Sequence, residues 1–138
     1  MAGDEKPTLE VGPDKICHVI AGAREFHAKE EVVIPEEPSN PADDWALQVL
    51  ADHKDDPTYQ ELRYLIEGMD VEEQVNLVAL IWLGRGDYSV EEWGEALEEA
   101  RNRLTDRTAD YVIATPLVAD YLEEGLSLLG YSCEGITD

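Results

Sequence analysis

The chain has 138 residues, 43% of them hydrophobic, and carries 32 acidic against 10 basic side chains, a formal charge of −22. That length suits one domain with a well-buried core. A charge of that size and sign repels phosphate backbones and anionic membrane surfaces, which argues against direct nucleic-acid or membrane binding and favours basic partners and cations.

Residues 1–13 carry Gly, Pro and charge without a period and read as a loose N-terminal arm. Asp14 can cap a first helix, in which Ile16, Val19, Ile20, Ala23 and Phe26 recur at helical spacing. Residues 32–41 break that pattern. Pro35, Pro38 and Pro41 each fix φ and disfavour helix at the residue before, so an extended strip is predicted here, with Val32, Val33 and Ile34 lying over the core. Asn40-Pro41 is a cap followed by a first-turn proline, opening a helix through Trp45, Val49 and Leu50 to about His53. Asp56-Pro57 repeats the device for a helix containing Tyr59, Leu62, Leu65 and Ile66, which stops near Gly68.

Asp70 and Glu73 have the spacing of a capping box, and the helix they start turns apolar on every side from Leu77 to Leu83. Gly84 and Gly86 are expected to end it. Ser89 and Glu92 form a second box, followed by a single apolar seam of Val90, Trp93, Leu97, Ala100 and Leu104. Thr108 to Ile113 reads as a short helix. Thr115-Pro116 reads as the cap and first-turn proline of a last one, through Val118, Tyr121, Leu122 and Leu129 to Gly130. The fold expected is all-α: a compact single-domain bundle of about six or seven short helices around a central apolar helix, Val71–Leu83. Residues 14–130 form the domain and 131–138 a C-terminal tail.

Certain phrases of the chain are specific. They are Arg24-Glu25-Phe26, Ser39-Asn40-Pro41, Asp55-Asp56-Pro57, Gln60-Glu61-Leu62, Trp82-Leu83-Gly84-Arg85-Gly86-Asp87-Tyr88-Ser89, Trp93, Arg107-Thr108, Thr115-Pro116-Leu117 and Asp120-Tyr121-Leu122-Glu123-Glu124-Gly125. In these the sequence resembles an uncharacterised bacterial family of small acidic proteins, catalogued as a domain of unknown function. The resemblance implies membership and a bacterial source. It implies no activity, and so transfers no functional residues.

Candidates for chemistry fall one by one. Setting Glu92 at the last position of a calcium loop puts Ile81, Leu83 and Arg85 where oxygen ligands are required. The Arg85-Gly86-Asp87 string is read as a tight interhelical turn. Carboxylate pairs such as Glu91/Glu95, Glu95/Glu99 and Asp120/Glu124 oppose apolar seams and are expected to face water. Cys17, His18 and Cys133 lack the spacing of a metal site, and Cys17 reads as a small buried hydrophobe. Trp82 and Trp93 read as core. Arg85 and Arg107 flank helix ends, where pairing with local carboxylates is the expected role. No phosphate-binding or nucleophile motif occurs, so no catalytic, cofactor or metal residue is named and no cofactor is expected.

Two functions remain. The first is a non-enzymatic interaction or adaptor protein, whose acidic surface docks a basic or amphipathic partner. The alternative is an acidic decoy that imitates nucleic-acid charge and occupies a DNA- or RNA-binding protein; an enzyme ranks third. The partner surface is placed on the strip and the helix end beside it: Glu36, Glu37, Asp43, Asp44 and Trp45, an aromatic beside acidic groups. With no export signal visible and two cysteines near opposite ends of the chain, a reducing cytoplasm is the expected compartment.

Overall fold

The computed structural model describes residues 9–30 and 50–133, and every regular element within them is helical. The first, α1 (Pro13–Glu30), begins one residue before the expected cap. Gly12 supplies the carbonyl that accepts from Lys15 and Ile16, and Pro13 takes the first helical position, where its missing N–H costs nothing. Ile16, Val19, Ile20, Ala23 and Phe26 are all buried, as their spacing requires. Ahead of the helix, Leu9 and Val11 are buried as well.

The predicted Asn40–His53 helix is visible only at its end, where Ala51–His53 is a 3-10 turn preceded by Leu50. Helix α2 (Pro57–Glu67) starts as the sequence dictates: the Asp56 carboxylate accepts from Thr58 N at 2.8 Å and Tyr59 N at 3.2 Å, with Gly68 at the other end. Helix α3 (Val71–Arg85) carries the full reciprocal capping box of Asp70 and Glu73. Its residues from Val75 to Leu83 are buried without exception, so this is the central helix.

Gly84 does not end α3. The helix runs through it and stops at Gly86, whose φ of 96° no side-chain-bearing residue adopts cheaply. Gly84 has another task. A Cβ built on it would lie 1.8 Å from the carbonyl oxygen of Tyr121, and one built on Gly125 would lie 2.7 Å from that of Leu80. Each glycine therefore sits against the backbone of the opposite helix, one turn from the residue its partner touches. This double approach lets α3 lie against α6 (Val118–Leu128) more closely than side chains would permit.

The remaining elements surround that pair. After a 3-10 turn at Val90–Glu92, α4 (Trp93–Arg103) lays Trp93, Ala96 and Ala100 on α3, with Val90, Leu97 and Leu104 half-buried along the seam. Helix α5 (Thr108–Ala114) is short and buried throughout, and packs on α2. Thr115 closes α5 by donating its hydroxyl to Tyr111 O at 2.6 Å, so the Thr115-Pro116 pair is not the cap of the last helix. That position falls to Leu117, which is held at φ 60° with its side chain mostly exposed. For a non-glycine residue this backbone is strained. Helix α1 spans the back of the assembly against α2 and α6.

Cys17 and Cys133 form a disulfide, with Cα atoms 5.7 Å apart. The reading of Cys17 as a buried hydrophobe is thus half right: the side chain is buried, but its sulfur ties α1 to the segment after α6. Among the described residues no helix is long and apolar enough to cross a membrane.

Candidate functional site

The residues named from sequence as a partner surface, Glu36, Glu37, Asp43, Asp44 and Trp45, lie outside the described residues, as does the whole 32–41 strip. Two other places in the fold concentrate chemistry: the α2–α5 seam and the outer face of α4.

At the seam, Tyr59, Arg63 and Glu67 follow one another at intervals of four along α2, which aligns them in a single row. Opposite stands Asp110, in the first turn of α5 and only 1% exposed. The Tyr59 hydroxyl donates to Asp110 Oδ1 at 2.5 Å. Arg63 donates to the Tyr59 oxygen at 3.2 Å, and its guanidinium lies 3.9 Å from Asp110 Oδ2. Its Nε donates to Glu67 at 2.8 Å, and this bond above all raises the arginine's pKa. A buried carboxylate thus keeps a hydroxyl donor and a nearby cation, the conditions under which burial of charge is tolerable. Above the row is an open groove of about 440 Å³ lined by Lys54, Tyr59, Gln60, Arg63, Tyr64 and Glu67, with Tyr64 83% exposed.

Burial first, and then the bond and field of Asp110, push the Tyr59 hydroxyl up to about 12. At neutral pH it is a hydrogen-bond donor and not a base. The sign of the pH effect follows, because the fold favours the protonated form. The contribution is complete below the ordinary tyrosine value of 10.0 and is lost as pH rises towards about 12. Denaturant midpoints measured from pH 9 to 12 should fall less steeply for Tyr59→Phe than for the parent. Tyr88 and Tyr111, also raised chiefly by burial, titrate in both proteins, so the difference between the two curves is the readout. Parallel curves would refute this account of the seam.

On α4 one basic side chain pairs with another helix and one within its own. Arg101 reaches Glu72 of α3 at 2.9 Å, and Arg103 pairs with Glu99 one turn back at 2.6 Å. Elsewhere Lys15 joins α1 to Glu73 of α3 at 2.7 Å, and Arg24 joins α1 to Asp120 and Glu123 of α6 at 3.0 and 2.8 Å. Such exposed pairs are screened by solvent and add little to stability. In so acidic a chain they also set where the cations are. Glu91, in the turn before α4, and Glu95 and Glu98, on α4, follow at offsets of four and three and stay exposed; none makes a salt bridge among the described residues, although Arg101, three positions after Glu98, feels its field. Tyr88 stands beside this row, half-buried, its ring centroid 6.0 Å from that of Trp82. After burial itself, the fields of Glu99, Asp87, Glu95 and Glu92 raise its hydroxyl pKa.

The Arg85-Gly86-Asp87 turn is structural. Arg85 holds Asp87 through two bonds of 2.9 and 2.6 Å, and Trp82 Nε1 donates to the buried Tyr111 hydroxyl at 3.0 Å just behind it. His27 sits in the last turn of α1 with Nε2 2.8 Å from Ile113 O, and His53 meets the edge of Phe26 at 5.5 Å. Among the described residues no group of three or more His, Cys, Asp or Glu is placed to hold a metal ion. The Asp110 seam escaped the sequence reading, although one signal was present. Asp110 is the acid in an otherwise apolar or small run, Thr108 to Ala114, and an acid so enclosed needs a partner.

Fold and surface together define a small all-helical domain with a polar seam beneath an open groove and an exposed acidic row on α4 and the turn that opens it. Within this class the chain belongs to a family described as a protein of unknown function, DUF3775, whose model matches residues 59–131. That span holds Tyr59, Arg63, Asp110 and all of α4, whereas Cys17 and Cys133 fall outside it. No curated protein and no solved structure matches the chain.

Proposed function

We propose that this is a non-enzymatic bacterial interaction protein whose acidic surface docks a basic or amphipathic protein segment; the Cys17–Cys133 disulfide weighs against the reducing cytoplasm expected from the sequence. One observation carries the reading. Lys15, Arg24 and Arg101 are engaged in pairs between helices, and the carboxylates of Glu91, in the turn that opens α4, and of Glu95 and Glu98, on α4, remain exposed along one side. A lysine- or arginine-bearing segment lying along that row would meet three carboxylates, with Tyr88 at the edge as an aromatic contact. Two of the three carboxylates stand on a regular helix and the third in the turn that opens it, so no backbone ordering is required on binding.

Calorimetry with a lysine-rich peptide at low and moderate salt tests this. Glu91→Gln/Glu95→Gln/Glu98→Gln should weaken binding at least about tenfold, close to 1.4 kcal/mol. A charge-matched control, Glu25→Gln/Asp55→Asn/Glu61→Gln, should change it little. Equal effects from the two variants would reduce the binding to net charge and remove α4 as the docking face. Trp45→Ala/Glu36→Lys/Glu37→Lys, assayed alongside, tests the strip named from the sequence.

A further inference from the structure

We infer that the hollow between α1 and α6 is a docking pocket for an apolar side chain of a basic amphipathic protein segment, with Leu117 as its exposed contact. The inference rests on the interaction role proposed above and adds an apolar contact to the acidic one on α4. Leu117 carries two unfavourable features at once. Its backbone lies at φ 60° and ψ 21°, a conformation that glycine or asparagine adopts far more readily. Its side chain is 59% exposed and stays outside the core. Glycine or asparagine in this place would relieve the first and remove the second. Strain of this kind persists where the surrounding structure imposes it, and it gathers at ligand contacts.

The leucine borders an open cavity of about 360 Å³. Ala23, Val118 and Ala119 are its buried residues, Ala28 and Leu117 its exposed apolar ones, and His27 is fixed in its wall by the bond between Nε2 and Ile113 O. Alanines at positions 23, 28 and 119 leave between the helices a space that larger side chains would fill. The polar members, Arg24 and Asp120, decide the occupant. Arg24 is spent between Asp120 and Glu123, at 3.0 and 2.8 Å, so this edge keeps one net negative charge. Glu25 and Glu124 stand exposed next to these residues in sequence. A second copy of the chain would bring its own charge of −22 to this edge, and an anionic lipid surface would be repelled in the same way. A lysine or arginine beside the entering side chain is attracted instead, which fits an amphipathic segment that sets basic residues around an apolar one.

Calorimetry on the full chain tests the inference with two peptides: an amphipathic helical one of leucine and lysine, and one of equal charge in which glutamine replaces each leucine. The parent should bind the first at least about tenfold more tightly, as burial of one leucine side chain requires. Leu117→Asn should erase that preference while melting, by circular dichroism, at or above the parent temperature, because asparagine tolerates the backbone. Ala28→Gln, on the exposed surface of α1, should narrow the preference without changing the melting temperature. Equal binding of the two peptides by the parent, or a preference untouched by Leu117→Asn, would overturn the pocket. So would a melting temperature of Leu117→Asn below the parent's, which would make Leu117 a support of the fold. Glu91→Gln/Glu95→Gln/Glu98→Gln should weaken both peptides alike and keep the preference. If it weakens neither, the α4 reading alone is lost; if it abolishes the preference, the apolar contact lies on α4 and the pocket is refuted.

Discussion

Leu80→Asp should abolish the folded state. Leu80 is fully buried on α3, beside the point where Gly125 of α6 meets its backbone. Two penalties add. Losing a buried leucine costs about 2–5 kcal/mol, as Leu→Ala series show. An unpaired charge in the same place costs several kcal/mol more, whether it stays ionised or takes up a proton. Together these meet or exceed the roughly 5–15 kcal/mol by which a domain of this kind is stable. Leu80→Ala should melt cooperatively at a lower temperature, and Leu80→Asp should show no cooperative transition by circular dichroism or scanning calorimetry. A transition near the parent value would mean that Val71–Arg85 is not the enclosed centre of the fold.

Gly84→Ala is expected to destabilise the protein even though alanine is the better helix former. Propensity favours the change by about 1 kcal/mol in a helix interior. Geometry opposes it, because the added Cβ would lie 1.8 Å from Tyr121 O, a backbone atom that no side-chain rotation can move. Helices α3 and α6 must then separate by more than an ångström, and overpacking of this kind costs about 1–3 kcal/mol or more. Because the whole α3–α6 interface shifts, the upper end should apply. A net loss of about 2 kcal/mol would lower the melting temperature by roughly 5–10 °C in a chain of this length. Gly125→Ala, with its overlap at 2.7 Å, should cost less. Gly94→Ala, where nothing lies within 4 Å, should be neutral or raise the melting temperature. If Gly84→Ala melts at or above the parent, the close approach of the two backbones is not as described.

Much of the fold was legible because its signals are local. Asp56-Pro57, the Asp70/Glu73 box and the Gly86 stop are decided by hydrogen bonds within a few residues, and each is found where the sequence places it. The apolar run from Leu77 to Leu83 allows only enclosure, since no face of it can be left in water at small cost. The candidate site was less legible. Asp110 can be seen as an anomaly in an apolar run, but neither Tyr59 nor Arg63, about fifty residues away, announces itself as its partner. Nothing in the α4 sequence says that Arg101 turns to Glu72 and leaves Glu91, Glu95 and Glu98 as the exposed row.

The sequence by itself therefore determined the helical class, the central helix, most helix starts and the acidic character, all of which depend on composition and on spacings of three or four residues. Only the tertiary structure decided the role of Gly84, which local rules read as a stop and which in fact meets a backbone thirty-seven positions on. It also decided that Thr115 ends one helix instead of starting the next, and that Leu117 takes the strained position between them. Cys17 and Cys133 show the difference most plainly. A spacing of 116 residues carries no information about distance, and it is the packing of α1 against α6 that brings their Cα atoms to 5.7 Å.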